Sequence, residues 1–235
     1  MLDTRTPVAT LVLDHSEFGA VFARHRIDYC CKGQQPLADA CRDLGLDVQV
    51  LLVELETVIA RRETTQAPDP RLLSTREVIQ QLIAPHHQYL HRTMPYLQGL
   101  ATKVARVHGG REPSLREVAR IFDTLVEMLR VHLAEEETAL FPALIEGRTE
   151  DAAPMLDEMR REHEQVGTML FELRRVAADY VSPDWACNSY RTLMSELAAL
   201  EADTLEHVHL ENHVLLPRFL IVQSPLAEQV ATAAT

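Results

Sequence analysis

Two stretches of this chain repeat each other in the residues that a buried pair of metal ions needs. His87 is followed 45 residues later by His132, and His163 is followed 44 residues later by His207. Each second histidine has a glutamate four residues on, Glu136 and Glu211, and a proline ten residues on, Pro142 and Pro217. On an α-helix the i, i+4 spacing places two side chains one above the other on the same face. A single His-x-x-x-Glu is more often a surface pair. Two copies in register, followed by Leu140-Phe141-Pro142 and Leu215-Leu216-Pro217, instead predict a duplicated helix pair whose halves face each other across a shared metal site.

Composition narrows the class. Of 235 residues, 46% are hydrophobic and 25% charged, as in ordinary soluble globules, and 8 glycines with 5% aromatics leave little for a turn-rich β architecture. The formal net charge of −12 argues against nucleic acid or anionic membranes as partners, since both demand clustered Lys and Arg. No basic region followed by an apolar run opens the chain, and no stretch approaches the ~18 apolar residues of a membrane span. A cytoplasmic protein is expected. The cysteines, Cys30, Cys31, Cys41 and Cys187, form no CxxC pair and are read as reduced thiols.

The helical period dominates the chain, so the fold class is all-α. A small helical N-terminal domain is expected over 1–62. Val8, Leu11, Val12, Phe18, Val21 and Phe22 recur at helical spacing after Thr6-Pro7. The run breaks at Asp28-Tyr29-Cys30-Cys31-Lys32-Gly33. A short helix runs from Pro36 through Leu44 to Gly45, and Asp47 caps a third. Residues 63–73, with Pro68 and Pro70, read as a linker. An up-down-up-down four-helix bundle is expected over 74–222, with a tail at 223–235. Its first helix opens at a capping box, Ser74 and Glu77, carries His87 and extends toward His108, with a bend at Pro85 or Pro95. The second runs from Pro113-Ser114 to about Glu146, the third from about Pro154 to Tyr180, and the fourth from Ser182-Pro183 to about Ile221.

Four imidazoles and two carboxylates converging in a bundle interior suit iron best among common cations. Magnesium and calcium prefer all-oxygen shells, and a structural zinc usually closes at four ligands, often with thiolate. Six ligands point to two metals, with two histidines on each, Glu136 and Glu211 bridging both, and an oxo or hydroxo bridge completing a fifth position. His86 is the alternative to His87, on a different side of the same helix. His91, His108, His209 and His213 are not expected to be primary ligands. Glu135 and Glu137 are expected to face solvent, and Glu162 to be a solvated charge rather than a partner of a ligand. Cys41 and Cys187 are assigned structural roles, Tyr29 a packing role, and Cys30 and Cys31 a thiol role.

On His87, His132, Glu136, His163, His207 and Glu211 the chain resembles the hemerythrin-like family of di-iron bundles, with four histidines where oxygen carriers have five. The Asp28-to-Gly33 stretch and Ala101-Thr-Lys-Val-Ala-Arg-Val-His108 narrow the resemblance to the repair-of-iron-centres proteins of the ScdA and YtfE type. That resemblance implies a non-haem di-iron homodimer that supplies iron to iron–sulfur proteins damaged by nitrosative or oxidative stress, with Cys30 and Cys31 as candidate thiols for iron transfer or redox chemistry. Nitric oxide and dioxygen are the small ligands implied. The alternatives are a nitric oxide-reducing di-iron enzyme and an oxygen-binding or oxygen-sensing hemerythrin.

Overall fold

Local chemistry sets the helix ends in the computed structural model, which describes residues 2–61 and 69–220. The N-terminal unit holds α1 (Val8–Asp14), α2 (Phe18–Arg24), α3 (Leu37–Leu44) and α4 (Val48–Ala60). Gly45 closes α3 at φ 66°, the left-handed conformation glycine adopts without strain. The Asp47 carboxylate accepts from the amides of Gln49 and Val50 and opens α4. The one helix expected from Val8 to Phe22 is instead two, broken around His15–Glu17. An unbroken rod would be roughly 22 Å long at ~1.5 Å per residue. Folding it back lets Val8, Leu11, Val12, Phe18, Val21 and Phe22 close on one cluster with Leu37, Leu51 and Leu55.

The bundle is built from α5 (Thr75–Gln81), α6 (Gln88–His108), α7 (Ser114–Glu135), α8 (Phe141–Glu146), α9 (Thr149–Val176), α10 (Asn188–Leu210) and α11 (Pro217–Leu220). Wide π turns at Leu82–His87, Glu136–Leu140 and Glu211–Leu215 join α5 to α6, α7 to α8 and α10 to α11, so four rods result. In chain order each rod packs on the next, and α10 returns to α6. The capping box is present: Ser74 accepts from the Glu77 amide, and Glu77 accepts from the Ser74 amide. Pro85 lies in the first π turn, and Pro95 lies inside α6.

Two expected boundaries move. The third rod starts at Thr149, five residues before Pro154, because Gly147 closes α8 at φ 73° and Glu150 and Asp151 favour the first turn of a new helix. The fourth starts at Asn188 rather than Ser182-Pro183. Ala178, Asp179 and Tyr180 take left-handed φ values, and Pro183 sits in a turn closed by the Ala186 amide. Tyr180 anchors this connection by donating its hydroxyl to buried Glu201 (2.5 Å), which also accepts from Arg174 (2.7 Å). The described part of the expected linker is tied down. Asp69 caps a short 3-10 turn, Pro70–Leu72, Arg71 pairs with Asp14 at 2.8 Å, and Arg218 donates to the Pro70 carbonyl. Residues 63–68 of that linker, the expected helix end at Ile221 and the tail at 223–235 lie outside the described residues.

The core of the bundle has two apolar layers. One gathers Leu90, Leu97, Phe122, Leu125, Leu129, Leu133, Leu170, Leu193 and Leu197. The other gathers Val78, Leu82, Leu140, Phe141, Leu156, Met159, Val214 and Leu215. Each rod passes from one layer to the other through a single short polar stretch. No described helix is long and apolar enough to cross a membrane.

Truncating a fully buried layer residue leaves a cavity, so Leu125→Ala is expected to lower unfolding free energy by about 2–5 kcal/mol. Val50→Ala, at a position 65% exposed, should stay within about 0.5 kcal/mol of wild type. Denaturant melts of both variants check the pair.

Candidate metal centre

The polar stretches between the layers meet at one place. His87 comes from the end of the first π turn. His132 comes from the end of α7 and Glu136 from the first residue of the π turn after it, His163 from mid-α9, His207 from the end of α10 and Glu211 from the first residue of the π turn after that. All six are buried, at 0–2% exposure, although none is apolar. They sort into two sets, His87, His207, Glu136 and Glu211, and His132, His163, Glu136 and Glu211, with one donor atom from each residue within 4.8 Å of the others. The Nε2 atoms of His87 and His207 are 3.1 Å apart, and those of His132 and His163 are 3.3 Å apart. Imidazole–metal bonds of about 2.0–2.1 Å make such separations natural for two donors on one ion.

The carboxylates lie between the sets. Glu211 places Oε1 2.9 Å from His207 Nε2 and Oε2 3.0 Å from His163 Nε2. Glu136 places Oε2 3.6 Å from His87 Nε2 and Oε1 3.3 Å from His132 Nε2. Each carboxylate thus offers one oxygen to each histidine pair. His86 falls outside both sets, donating Nδ1–H toward Asp203 at 2.9 Å.

The repeated prolines have a local role that the spacing alone did not disclose. The Phe141 amide bonds to the Glu136 carbonyl, and the Leu216 amide to the Glu211 carbonyl, each five residues back. Pro142 and Pro217 follow directly. Their rings crowd the carbonyl four residues back in an α-helix, and a wide turn relieves this. The π turns therefore start at the glutamates themselves.

Three of the four imidazoles have an acceptor behind them. His87 Nδ1 donates to Glu137 (2.9 Å), His132 Nδ1 to Glu162 (2.7 Å) and His163 Nδ1 to Asn212 Oδ1 (2.9 Å). Each bond fixes the tautomer that leaves Nε2 free for a metal. Two expectations are corrected here. Glu137 does not simply face solvent, and Glu162 is not merely a solvated charge, because the neighbouring rods carry His87 and His132 over them. His91 also donates to Glu137, at 3.0 Å. Glu135 is exposed, as expected. Asn212, directly after Glu211, was not singled out from the sequence; its position beside a ligand was the available signal.

Electrostatics fit a cation pair. Burial pushes the Glu136 carboxyl well above the usual carboxylate range, and the facing charge of Glu211 adds to it. Burial pushes Glu211 up as well, but the charge of His207 and the facing His163 imidazole outweigh it and hold that carboxyl well below its usual range. Burial, then the charge of His207, lowers His87 to about 4, and burial lowers His132. Neutral imidazole is the form that ligates. Both oxygens of Glu136 are buried without a hydrogen bond, a costly arrangement that a bound cation removes. The donor set therefore fits metal.

Two further features adjoin the centre. A cleft of about 420 Å³ reaches His132 and Glu136, floored by Leu140, Met155 and Met159 and bordered by Glu135, Glu158 and Glu162. On another side the N-terminal cysteine loop seats against α9 and α10. Cys31 Sγ lies 3.4 Å from the His163 carbonyl oxygen, and Cys30 and Cys31 hold their sulfurs 3.5 Å apart with Asp28 Oδ1 3.3 Å from Cys30 Sγ. The Cys31 thiol and burial push the Cys30 thiol up. Tyr29 packs as expected, 3% exposed and edge-on to His209. Cys41 is buried, in keeping with a structural role. Cys187 is exposed and contacts His108 Nε2 at 3.1 Å, because its loop lies at the bundle end, so the structural reading does not hold for it.

His132→Leu removes one imidazole from the second set and should lower the bound metal content. Glu162→Gln keeps every ligand but weakens the acceptor behind His132, and a loss of about 10- to 100-fold in metal affinity is expected. Metal analysis and chelator competition measure both; unchanged iron content in the His132 variant would contradict the ligand assignment.

Comparison with known proteins agrees with this geometry. Residues 78–219 match the hemerythrin HHE cation-binding domain, and residues 4–59 match the ScdA_N model, a domain of unknown function (DUF542). The chain is 32% identical over 200 residues to the iron-sulfur cluster repair protein YtfE of Yersinia pseudotuberculosis serotypes O:1b (strain IP 31758) and O:3 (strain YPIII), and to that of Yersinia pestis (strain Pestoides F). Each match spans 85% of this chain and 90% of the relative. With four rods converging six buried His and Glu side chains and an N-terminal unit that seats a Cys-Cys loop beside them, the chain belongs to the hemerythrin family, in the group of the YtfE iron–sulfur cluster repair proteins.

Proposed function

We propose that this chain holds two iron ions between His87, His132, His163, His207, Glu136 and Glu211, oxo- or hydroxo-bridged, and supplies iron to iron–sulfur proteins damaged by nitrosative or oxidative stress. The observation that carries the reading is the placement of the carboxylates, each with one oxygen toward each histidine pair. The relatives' name, iron-sulfur cluster repair protein, supports damaged clusters as the destination. Bound iron would supply reactivity toward nitric oxide and dioxygen and, as cargo, exchangeable ferrous ion.

The residues around the centre suit a cargo that must leave. Glu136 offers one oxygen to each set, so withdrawing that one side chain would loosen both ions at once. Glu135, Glu158 and Glu162 draw cations along the cleft that reaches His132. Asp28, Cys30 and Cys31 form a third group of donors within 4.8 Å and abut the helix bearing His163, which supports a transit role for iron. A cytosolic homodimer that docks damaged iron–sulfur proteins completes the reading.

A second reading is reduction of nitric oxide at the same centre. The apolar floor of the cleft, Leu140, Met155 and Met159, suits a small neutral diatomic. Iron-loaded protein should restore a damaged or apo cluster enzyme, in the presence of sulfide and a thiol, faster than free iron at equal concentration. Restoration no better than free iron would reject the donor role. Anaerobic nitric oxide addition separates the two readings: nitrous oxide release favours reduction, and iron loss alone favours donation.

A further inference from the structure

The four imidazoles are not equally backed. Behind His87 and His132 stand Glu137 and Glu162, on bundle rods. His207 Nδ1 is buried and has no hydrogen-bond partner among the described residues. His163 is backed differently. Its Nδ1–H donates to Asn212 Oδ1 at 2.9 Å, and the Nδ2 amide of the same residue donates to the Cys30 carbonyl at 3.1 Å. One planar amide thus bridges a candidate metal ligand and the loop of the N-terminal unit. His213 Nε2–H donates to the same Cys30 carbonyl at 2.8 Å, and His209 Nδ1–H to the neighbouring Tyr29 carbonyl at 3.2 Å. Both loop carbonyls therefore point onto α10 and the π turn that follows it.

The loop sits tightly. Gly33 has no room for a side chain: a Cβ there would lie 2.5 Å from each of Ala9 Cβ, His213 Nε2 and the Tyr29 carbonyl oxygen. The Gly33 carbonyl also accepts from the Ala9 amide at 2.9 Å. The Arg26–Asp179 ion pair, at 2.7 Å, fastens the unit at a second point on the bundle.

Building on the di-iron reading, we propose that Asn212 is a positioning residue through which the seated cysteine loop fixes the His163 imidazole, so that seating of the N-terminal unit governs how firmly the metal of the His132/His163 set is held. An amide that has lost the Cys30 carbonyl is free to rotate, and His163 then loses a fixed acceptor. Outer partners of this kind are generally worth about 10- to 100-fold in metal affinity. Among the described residues the His87/His207 set has no such link to the loop. The two metal positions are therefore inequivalent, and displacing the loop, as a docking acceptor protein would, loosens one of them. By reciprocity of linked equilibria, metal in the His132/His163 set must also tighten the loop.

The test uses the full chain loaded with two ferrous ions and challenged anaerobically with a ferrous chelator. Asn212→Leu removes the bridge at the ligand, and Gly33→Ala lifts the loop without touching any ligand. Each is expected to speed release of one iron by about 10-fold or more and leave the other unchanged. The double variant should be no faster than the quicker single one, because both changes break the same link. Amide hydrogen exchange over residues 28–33 gives a second readout. Metal loading should slow it in wild type and leave it unchanged in Asn212→Leu. If Asn212→Leu does not accumulate as folded protein, Asn212→Asp replaces it. The carboxylate still accepts from His163 but cannot donate to Cys30, so release from this variant should no longer respond to Gly33→Ala. The inference is overturned if Gly33→Ala releases iron like wild type, if both irons quicken together, or if loading leaves loop exchange unchanged in wild type. A wild-type chain that takes up no iron would reject the di-iron reading itself; two irons with release indifferent to Gly33→Ala reject this inference alone.

Discussion

Two buried carboxylates facing each other are the constraint around which the metal centre is built. Glu136 and Glu211 are 2% and 0% exposed, in a layer closed above and below by leucine, phenylalanine and methionine. Without a cation the pair resolves its repulsion asymmetrically, with Glu136 favouring its proton and Glu211 its charge. An interior built only for stability would replace both with apolar side chains, since buried ionic clusters are seldom worth their desolvation. The surrounding packing instead holds four buried imidazoles against them. The apolar layers thus do more than hold the rods together: they keep the six donors buried, with the cleft at His132 and Glu136 as an opening.

The same economy of elements runs through the backbone. The glutamates that face the metal position also accept the five-residue hydrogen bonds of the π turns. Ligand orientation and the departure from α-helical geometry are therefore one event, repeated in both halves of the duplication. The N-terminal unit adds a second level. It folds on its own apolar cluster and then seats its polar loop carbonyls on donors that follow the last ligand, Asn212 and His213. An oxygen store has no evident use for such a loop, whereas a protein that must surrender iron gains a handle on it.

Much of this was legible in the sequence because it is local or repeated. The i, i+4 spacing of His132 with Glu136 and of His207 with Glu211 survives any error in helix boundaries, and the matching intervals back to His87 and His163 extended the pattern to all four rods. Caps at Ser74, Asp47 and Gly45 were equally local and fall as read. Of the two helix starts that moved, the one at Thr149 had a local cause, the Gly147 stop followed by Glu150 and Asp151, and the one at Asn188 a non-local one. The second depends on Tyr180 reaching a buried glutamate on another rod.

By itself the sequence determined an all-α chain with a duplicated His and Glu pattern, since helical periodicity and i, i+4 geometry depend only on residues a turn apart. The tertiary structure alone decided which carboxylates stand behind the imidazoles, why Glu137 and Glu162 are not idle surface charges, and where the cysteine loop seats. Those pairings join residues about 30 to 180 positions apart. Only the packing of one rod on another, and of the small unit on α9 and α10, brings such groups within hydrogen-bonding distance, and no spacing along the chain encodes that.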